Sequence, residues 1–307
     1  MAARREALTN PGHGVTASAS TAEGAGRLPE WLDSVRSWLY VPGDRSDMLL
    51  KAHERGADAV VIDLEDAVDG SRKEAARRNA AAFLNDGGPT PVVVRINRWD
   101  GLGPKDLEAI LVPGLAGVRM PKCERPDDVA EVGRRFAKAG LDAGVFPLLE
   151  SARGIESASH LASAHEKVFG LCLGEGDLRA EFGVAADLTI QCCRSRVVVA
   201  AVAAGLNPPP MSVNAALNDL TAFEKDCREG TRFGFFGRSA IHPSQVPIIN
   251  EVFSPLPEEI GDARRIVDLF AAAEKEQRAA FVDEGGFVDL ATLRRARTVL
   301  ARAEKLN

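Results

Sequence analysis

The stretch VVIDLEDAV, residues 60–68, begins as an unbroken apolar run and ends in three carboxylates, Asp63, Glu65 and Asp66. A run that is apolar at every position reads as a strand buried on both faces, as in a parallel sheet covered by helices. The acids arrive where the run stops, so they face whatever lies beyond the end of that strand.

The same theme repeats along the chain. Short β-type runs occur at SWLYVP (37–42), AVVIDLE (59–65), PVVVRIN (91–97), GVRMPK (117–122), GVFPLLE (144–150), VFGLCLG (168–174), PPMSVN (209–214) and SAIHP (239–243). Helix-like segments alternate with them. SDMLLKAHERG opens on Ser46 as a cap and stops at Gly56, while RKEAARRNAAAFLNDGG and RPDDVAEVGRRFAKAG each close on glycine. Eight strand–helix units in about 210 residues predict an α/β fold, a (β/α)8 TIM barrel. An open doubly wound sheet is the alternative, but YVPGDRSD after the first run lacks its glycine fingerprint.

Three segments are expected: a disordered tail at 1–30, a barrel at 31–255 and a helical lid extension at 256–307. The tail is rich in Ala, Gly, Ser and Thr without periodicity, and it has neither an apolar leader core nor the full character of a transit peptide. In the extension, Ile260, Ala263, Val267 and Phe270 share one helical face. The turn VDEGG follows, and then a second helix from FVDLATL onward.

Composition narrows the function. A net charge of −6 disfavours a nucleic-acid partner, and no apolar run is long enough to span a membrane. Five cysteines, two of them adjacent and none in a C-x-x-C, signal neither a disulfide framework nor a zinc site, which fits a cytoplasmic protein. His160 and His165 are five residues apart, on different faces of a helix, and make a poor metal pair.

In a barrel the C-terminal strand ends converge on one mouth. Read in order they give Tyr40, Glu65 with Asp66, Arg95, Lys122, Glu150, Asp177 and His242. Several carboxylates without a histidine cluster point to a hard divalent cation, and Glu150 and Asp177 are its candidate ligands. Both acids could instead cap the helices that follow. Arg95 suits a bidentate carboxylate contact, or an ion pair with Glu65 or Asp66, or both.

LYVPG, DLEDAV, VRIN, MPK, LLESARG, LGEGDL, GFFGRSAIHPSQV and INEVFSP together resemble the HpcH/HpaI aldolase and citrate lyase β-subunit family, most of all its CitE-like branch of stand-alone acyl-CoA lyases. The resemblance spans about residues 36–307. It implies a TIM barrel, a Mg2+ ion on Glu150 and Asp177, Arg95 on the substrate carboxylate, and Glu150 close to substrate. It places Tyr40 and Lys51 on the CoA thioester. Asp47 stands where relatives carry a lysine, and its i,i+4 spacing to Lys51 predicts an ion pair that weakens the phosphate anchor, with Arg45 compensating. Asp289 matches an aspartate that relatives place over a neighbouring subunit's mouth; its bland reading is an N-cap for the helix at 290–304.

The implied activity is Mg2+-dependent Claisen-type C–C cleavage, or its reverse, on a carboxylated 3-hydroxyacyl-CoA such as malyl-, citramalyl- or citryl-CoA. The products are a 2-keto acid and an acyl-CoA. Arg95 orients the carboxylate, Asp289 moves the α-carbon proton, and Glu65 and Asp66 hold Arg95 and metal-bound waters in place. A homo-oligomer, trimer or hexamer, is expected. The rivals are a CoA-independent class II aldolase, a malate synthase-like condensation, and a carrier-dependent subunit of a citrate lyase complex.

Overall fold

The computed structural model describes residues 28–183, 187–215, 217–275, 280–283 and 286–306. Seven parallel strands form one sheet: β1 (Ser37–Pro42), β2 (Ala59–Asp63), β3 (Val92–Arg95), β4 (Leu115–Met120), β5 (Gly144–Leu149), β6 (Cys172–Leu173) and β7 (Arg238–Ala240). Their order is β6-β5-β4-β3-β2-β1-β7. Helices Lys73–Asp86, Gly103–Ile110 and Pro126–Ala139 connect successive strands from β2 to β5, and Gly140 closes the last in a left-handed cap.

The doubly buried reading of VVID holds. All of β2 is buried, and its residues split by parity between two cores. Val60 and Ile62 join the large cluster against the outer helices, while Ala59 and Val61 join an inner cluster with Trp38, Val93, Phe146 and Phe169. The inner rings pack edge to face, Trp38 on Phe146 at 5.5 Å and Phe146 on Phe169 at 6.4 Å. Gly144 leaves room for them, since a Cβ there would lie 2.0 Å from the Phe169 ring.

The sheet is strongly curled. Flat strands about 4.8 Å apart would put β4 and β7, four places apart in the order, nearly 20 Å from each other. Arg119 on β4 nevertheless donates to Ser239 Oγ on β7 at 2.8 Å. The inner cluster therefore fills a concave interior.

A closed eight-stranded barrel is not formed among the described residues: seven strands are present, not eight. The run expected at 209–214 contributes one parallel bridge, Met211 with Arg238. The cause lies in Pro208, Pro209 and Pro210, which have no N–H to donate on a β6 side. On that side the segment meets the start of the helix that follows β6, through a side chain, Ser212 Oγ accepting from Glu175 N at 3.1 Å.

Helix Pro257–Lys275, the hairpin β8 (Phe281–Asp283) and β9 (Gly286–Val288), and helix Leu290–Leu306 form the C-terminal extension. Phe270, Val288 and Leu293 make its small core. Helix Leu290–Leu306 packs on the 3-10 helix Glu30–Ser34, with Lys305 paired to Asp33. The Arg302 guanidinium lies 4.2 Å from the Phe236 ring centre, just before β7. Both contacts are at the N-terminal ends of the strands, opposite the mouth. Of the expected tail, Glu30 already belongs to the 3-10 helix, and residues 1–27 lie outside the described residues.

Candidate active site

A cavity of about 410 Å³ opens at the C-terminal ends of the strands. Tyr40, Asp63, Arg95, Arg119, Glu150, Leu173, Met211 and Ser239 line it, one from each of the eight runs, together with Asp66 and Asp177 from the loops beyond. His242 does not; it is exposed and caps the following turn by accepting from Ser244 N.

Arg95, the last residue of β3, is clamped by two acids of the opening motif. Its Nε and Nη2 donate to Asp63 Oδ1 and Oδ2 at 2.8 and 2.6 Å, and Nη1 lies 3.1 Å from Glu65 Oε2. Asp63 is itself fixed, accepting from the backbone N–H groups of Glu65 and Ala67. Lys73 Nζ secures the same loop by donating to the carbonyls of Leu64 and Glu65. Burial is the largest influence and opposes the charge on Arg95, but the Asp63 hydrogen bond and the neighbouring charges of Asp63 and Glu65 together outweigh it and raise the pKa, so the guanidinium stays cationic. Asp66 is exposed and makes no hydrogen bond or ion pair among the described residues. The structure thus gives the clamping role to Asp63 with Glu65, and not to Asp66.

Glu150 and Asp177 face each other across the cavity wall. Glu150 follows β5 and is 5% exposed; its Oε1 accepts from Lys122 N at 2.8 Å. Gly174 makes its place, because a Cβ there would lie 2.5 Å from Glu150 Cβ and 2.6 Å from Oε2. Asp177 does not end a strand: β6 stops at Leu173, and Asp177 stands in the first turn of helix Glu175–Phe182. That helix is anchored by a buried bidentate pair, Arg194 with Glu175 at 2.8 and 2.9 Å.

Lys122, at a left-handed φ of 51° unusual for a side chain with a Cβ, brings its Nζ to 3.4 Å from Asp177 Oδ1. Burial pushes Glu150 up to about 8, with repulsion from Glu65 and Asp177 adding to it, and burial likewise lifts Glu65 to about 7. Carboxylates that repel one another in a confined cleft, with Lys122 beside Asp177 and Arg95 beside Glu65, are a donor set that fits a hard divalent cation.

Two expected outcomes follow from this geometry. Gly174→Ala pushes on Glu150 Cβ as well as its carboxylate, so it is expected to lower both the melting temperature and, if Glu150 holds the ion, Mg2+ affinity at least about tenfold, read by calorimetry on the folded variant. Retained affinity would remove Glu150 from the metal site. The second concerns pH. Both glutamates have folded pKa values above their ordinary 4.5, so the folded state holds extra protons and their contribution to stability is lost as pH rises from about 5 to about 8. The metal-free protein therefore melts at progressively lower temperature over that window, and saturating Mg2+ flattens the trend. Identical slopes with and without the ion would refute the assignment.

The first βα segment departs from expectation. Helix Ser46–Leu49 ends before Lys51, so the i,i+4 geometry for an Asp47–Lys51 pair does not exist. Asp47 instead pairs with Arg45 through two 3.0 Å hydrogen bonds. Lys51 is exposed and has no ion pair among the described residues, so it, and not Arg45, is the available cation. Tyr40 lies apart from it, in the cavity, with the Arg95 and Arg119 guanidinium carbons 5.1 and 5.3 Å from its ring centre. Asp289 is not in the cavity of its own chain. It caps helix Leu290–Leu306, accepting from Thr292 N at 2.8 Å.

Two lining residues take roles that the sequence does not assign. Asp63 stands among the three acids expected at the mouth, but only side-chain direction makes it the partner of Arg95. Arg119 was hidden inside GVRMPK, where a charge flanked by apolar residues was itself a signal.

A family model described as HpcH/HpaI aldolase/citrate lyase matches residues 36–243. The (3S)-malyl-CoA thioesterase of Cereibacter sphaeroides is 35% identical over 277 residues, covering 88% of this chain and 95% of the relative. The mitochondrial citramalyl-CoA lyase of Homo sapiens is 30% identical over 293 residues, covering 88% and 86%. Among solved structures, protein CitE from Mycobacterium tuberculosis in complex with magnesium, acetoacetate and coenzyme A matches with a TM-score of 0.72 at 32% identity, covering 88% of this chain and 98% of that one. The curled parallel sheet, the acid–arginine mouth and these matches agree: the chain belongs to the HpcH/HpaI aldolase/citrate lyase family.

Proposed function

We propose that this protein is a Mg2+-dependent C–C lyase for a carboxylated 3-hydroxyacyl-CoA, cleaving it to a 2-keto acid and an acyl-CoA or running the reverse condensation. The observation that carries this is the clamped Arg95 facing the same cavity as Glu150 and Asp177. Glu150 and Asp177 would hold the ion, which when bound supplies Lewis-acid stabilisation of developing oxygen charge. Arg95 keeps unbonded Nη hydrogens after its contacts with Asp63 and Glu65, and these orient the substrate carboxylate and stabilise the adjacent oxyanion. Asp63 and Glu65 hold that guanidinium rigid. In cleavage the 3-hydroxyl loses its proton, the C2–C3 electron pair passes to the thioester α-carbon, and a proton is delivered there.

Asp289 of a neighbouring subunit in a homotrimer or hexamer is the group for that last transfer. Its capping bonds from Thr292 hold it below the usual carboxylate range, so it is ionised, the form that a base in the condensation direction requires. Exposed Lys51 is the candidate cation for the CoA phosphates. The segment 209–214 borders the mouth through its single bridge to β7, and residues 256–307 act as the cover for a neighbouring subunit.

The test is incubation of the full chain with malyl-, citramalyl- and citryl-CoA and Mg2+, following keto acid and free thiol separately. Keto acid without thiol supports a lyase. Thiol release, the reaction named for the C. sphaeroides relative, would make it a thioesterase, and no turnover of any of the three would overturn the reading.

A further inference from the structure

Arg119 is 1% exposed, yet no carboxylate pairs with it among the described residues. Its Nη1 donates to Tyr40 Oη at 3.1 Å and Ser239 Oγ at 2.8 Å, while Nε and Nη2 are buried without any hydrogen-bond partner. Trp38 and Tyr40 cover its faces, with ring centres 4.8 and 5.3 Å from the guanidinium carbon. Those contacts satisfy the π faces and leave the in-plane N–H edge unmet. The nearby Cys172 thiol is no counterion, because burial pushes its pKa up and keeps it neutral.

Arg119 and Arg95 are direct register partners on β4 and β3, so two like charges sit side by side. Such a pairing is unfavourable unless each cation is balanced. Asp63 and Glu65 balance Arg95; Arg119 has no equivalent. A buried cation with unbonded donors, beside a ligand-sized cavity and with no carboxylate of its own, is a site that lacks its anion.

We propose that Arg119 is a specificity-determining residue that receives a second carboxylate of the substrate, so that the keto-acid fragment is a dicarboxylate spanning Arg95 and Arg119. This rests on the lyase reading of the same cavity. Both guanidinium carbons lie within 5.3 Å of the Tyr40 ring centre, close enough for one short-chain dicarboxylate to reach both. The Tyr40 and Ser239 hydroxyls, already held by Arg119, wall the second carboxylate's position.

The experiment is titration calorimetry on the full-length protein in Mg2+ with oxaloacetate and pyruvate, which differ by that carboxylate. The wild type binds oxaloacetate at least about tenfold more tightly than pyruvate, the worth of one charge-assisted contact. R119Q brings the two within about twofold, and R119K keeps part of the difference. Equal affinities in the wild type, or a preference that survives in R119Q, overturn the proposal while leaving the lyase reading intact. Should R119Q fail to fold, the wild-type ratio together with R119K decides: a ratio near one, or one unchanged in R119K, overturns it. Failure of either keto acid to bind overturns the lyase reading, and this inference with it.

Discussion

Arg95→Lys is expected to lower kcat/KM nearly as far as Arg95→Ala, by at least about a thousandfold. Arg95 serves three partners at once: Nε and Nη2 grip Asp63, Nη1 reaches Glu65, and the remaining Nη hydrogens face the cavity. A lysine carries three donors on one nitrogen and a stem that cannot present a planar fork, so it satisfies Asp63 or the substrate but not both. The two variants should separate in stability. Alanine leaves Asp63, 1% exposed, as a buried carboxylate without its counterion, a loss of about 3–5 kcal/mol. Lysine retains a charge there and should lose roughly half as much. Steady-state kinetics and thermal melts on both variants decide the matter. If lysine comes within tenfold of the wild type, a point charge is enough and the fork is not what matters.

The sequence made the strand order and the location of the mouth legible, because strands buried on both faces leave an unmistakable apolar signature and acids cannot follow them by accident. What it did not reveal came from side-chain direction and from donors that are absent. Parity along VVID places Asp63 inward with Ala59 and Val61, so Asp63, not the exposed Asp66, meets Arg95. Alternation along VRM, with Val118 and Met120 in the outer core, likewise turns Arg119 inward beside Arg95, but the irregular pairing at the start of β4 breaks that pattern further back in the run. The eighth strand was inferred from spacing, and three consecutive prolines reduce it to a single bridge. The Asp47–Lys51 pair assumed a continuous helix, which ends at Leu49.

These corrections share a consequence for the charge at the mouth. Reassigning the clamp to Asp63 leaves Asp66 unpaired at the cavity rim, while the Asp47–Arg45 pair leaves Lys51 unpaired on the nearby surface. An acidic rim for the ion and a separate cation for phosphates suit a substrate with a metal-chelating head and an anionic tail better than the arrangement read from sequence, in which Asp47 neutralised Lys51.

Mixing Asp289→Ala subunits with Asp177→Ala subunits, each inactive alone, should restore activity. The extension that carries Asp289 packs on the 3-10 helix Glu30–Ser34 and near Phe236, at the end of the sheet opposite the mouth. Asp289 itself does not line the cavity of its own chain. At the same time the hairpin beside it presents Val282 and Phe287 at 80% and 67% exposure, with Leu290 at 52%. Apolar side chains that exposed on a short hairpin favour burial against another surface. An open mouth and an apolar hairpin next to an acid complement each other only between copies, and a closed ring lets each copy both give and receive. If Asp289 acts on the neighbour, a site is competent when an intact Asp177 meets an intact Asp289, which random 1:1 mixing produces in about a quarter of sites. Recovery near that fraction, in oligomers shown to be mixed by native mass spectrometry, establishes action between subunits. The capping role makes a separable demand: Asp289→Asn preserves most of the cap, so it should keep the wild-type melting temperature yet remain inactive alone. Mixed oligomers without activity, or an active Asp289→Asn, would confine this aspartate to holding the first turn of its own helix.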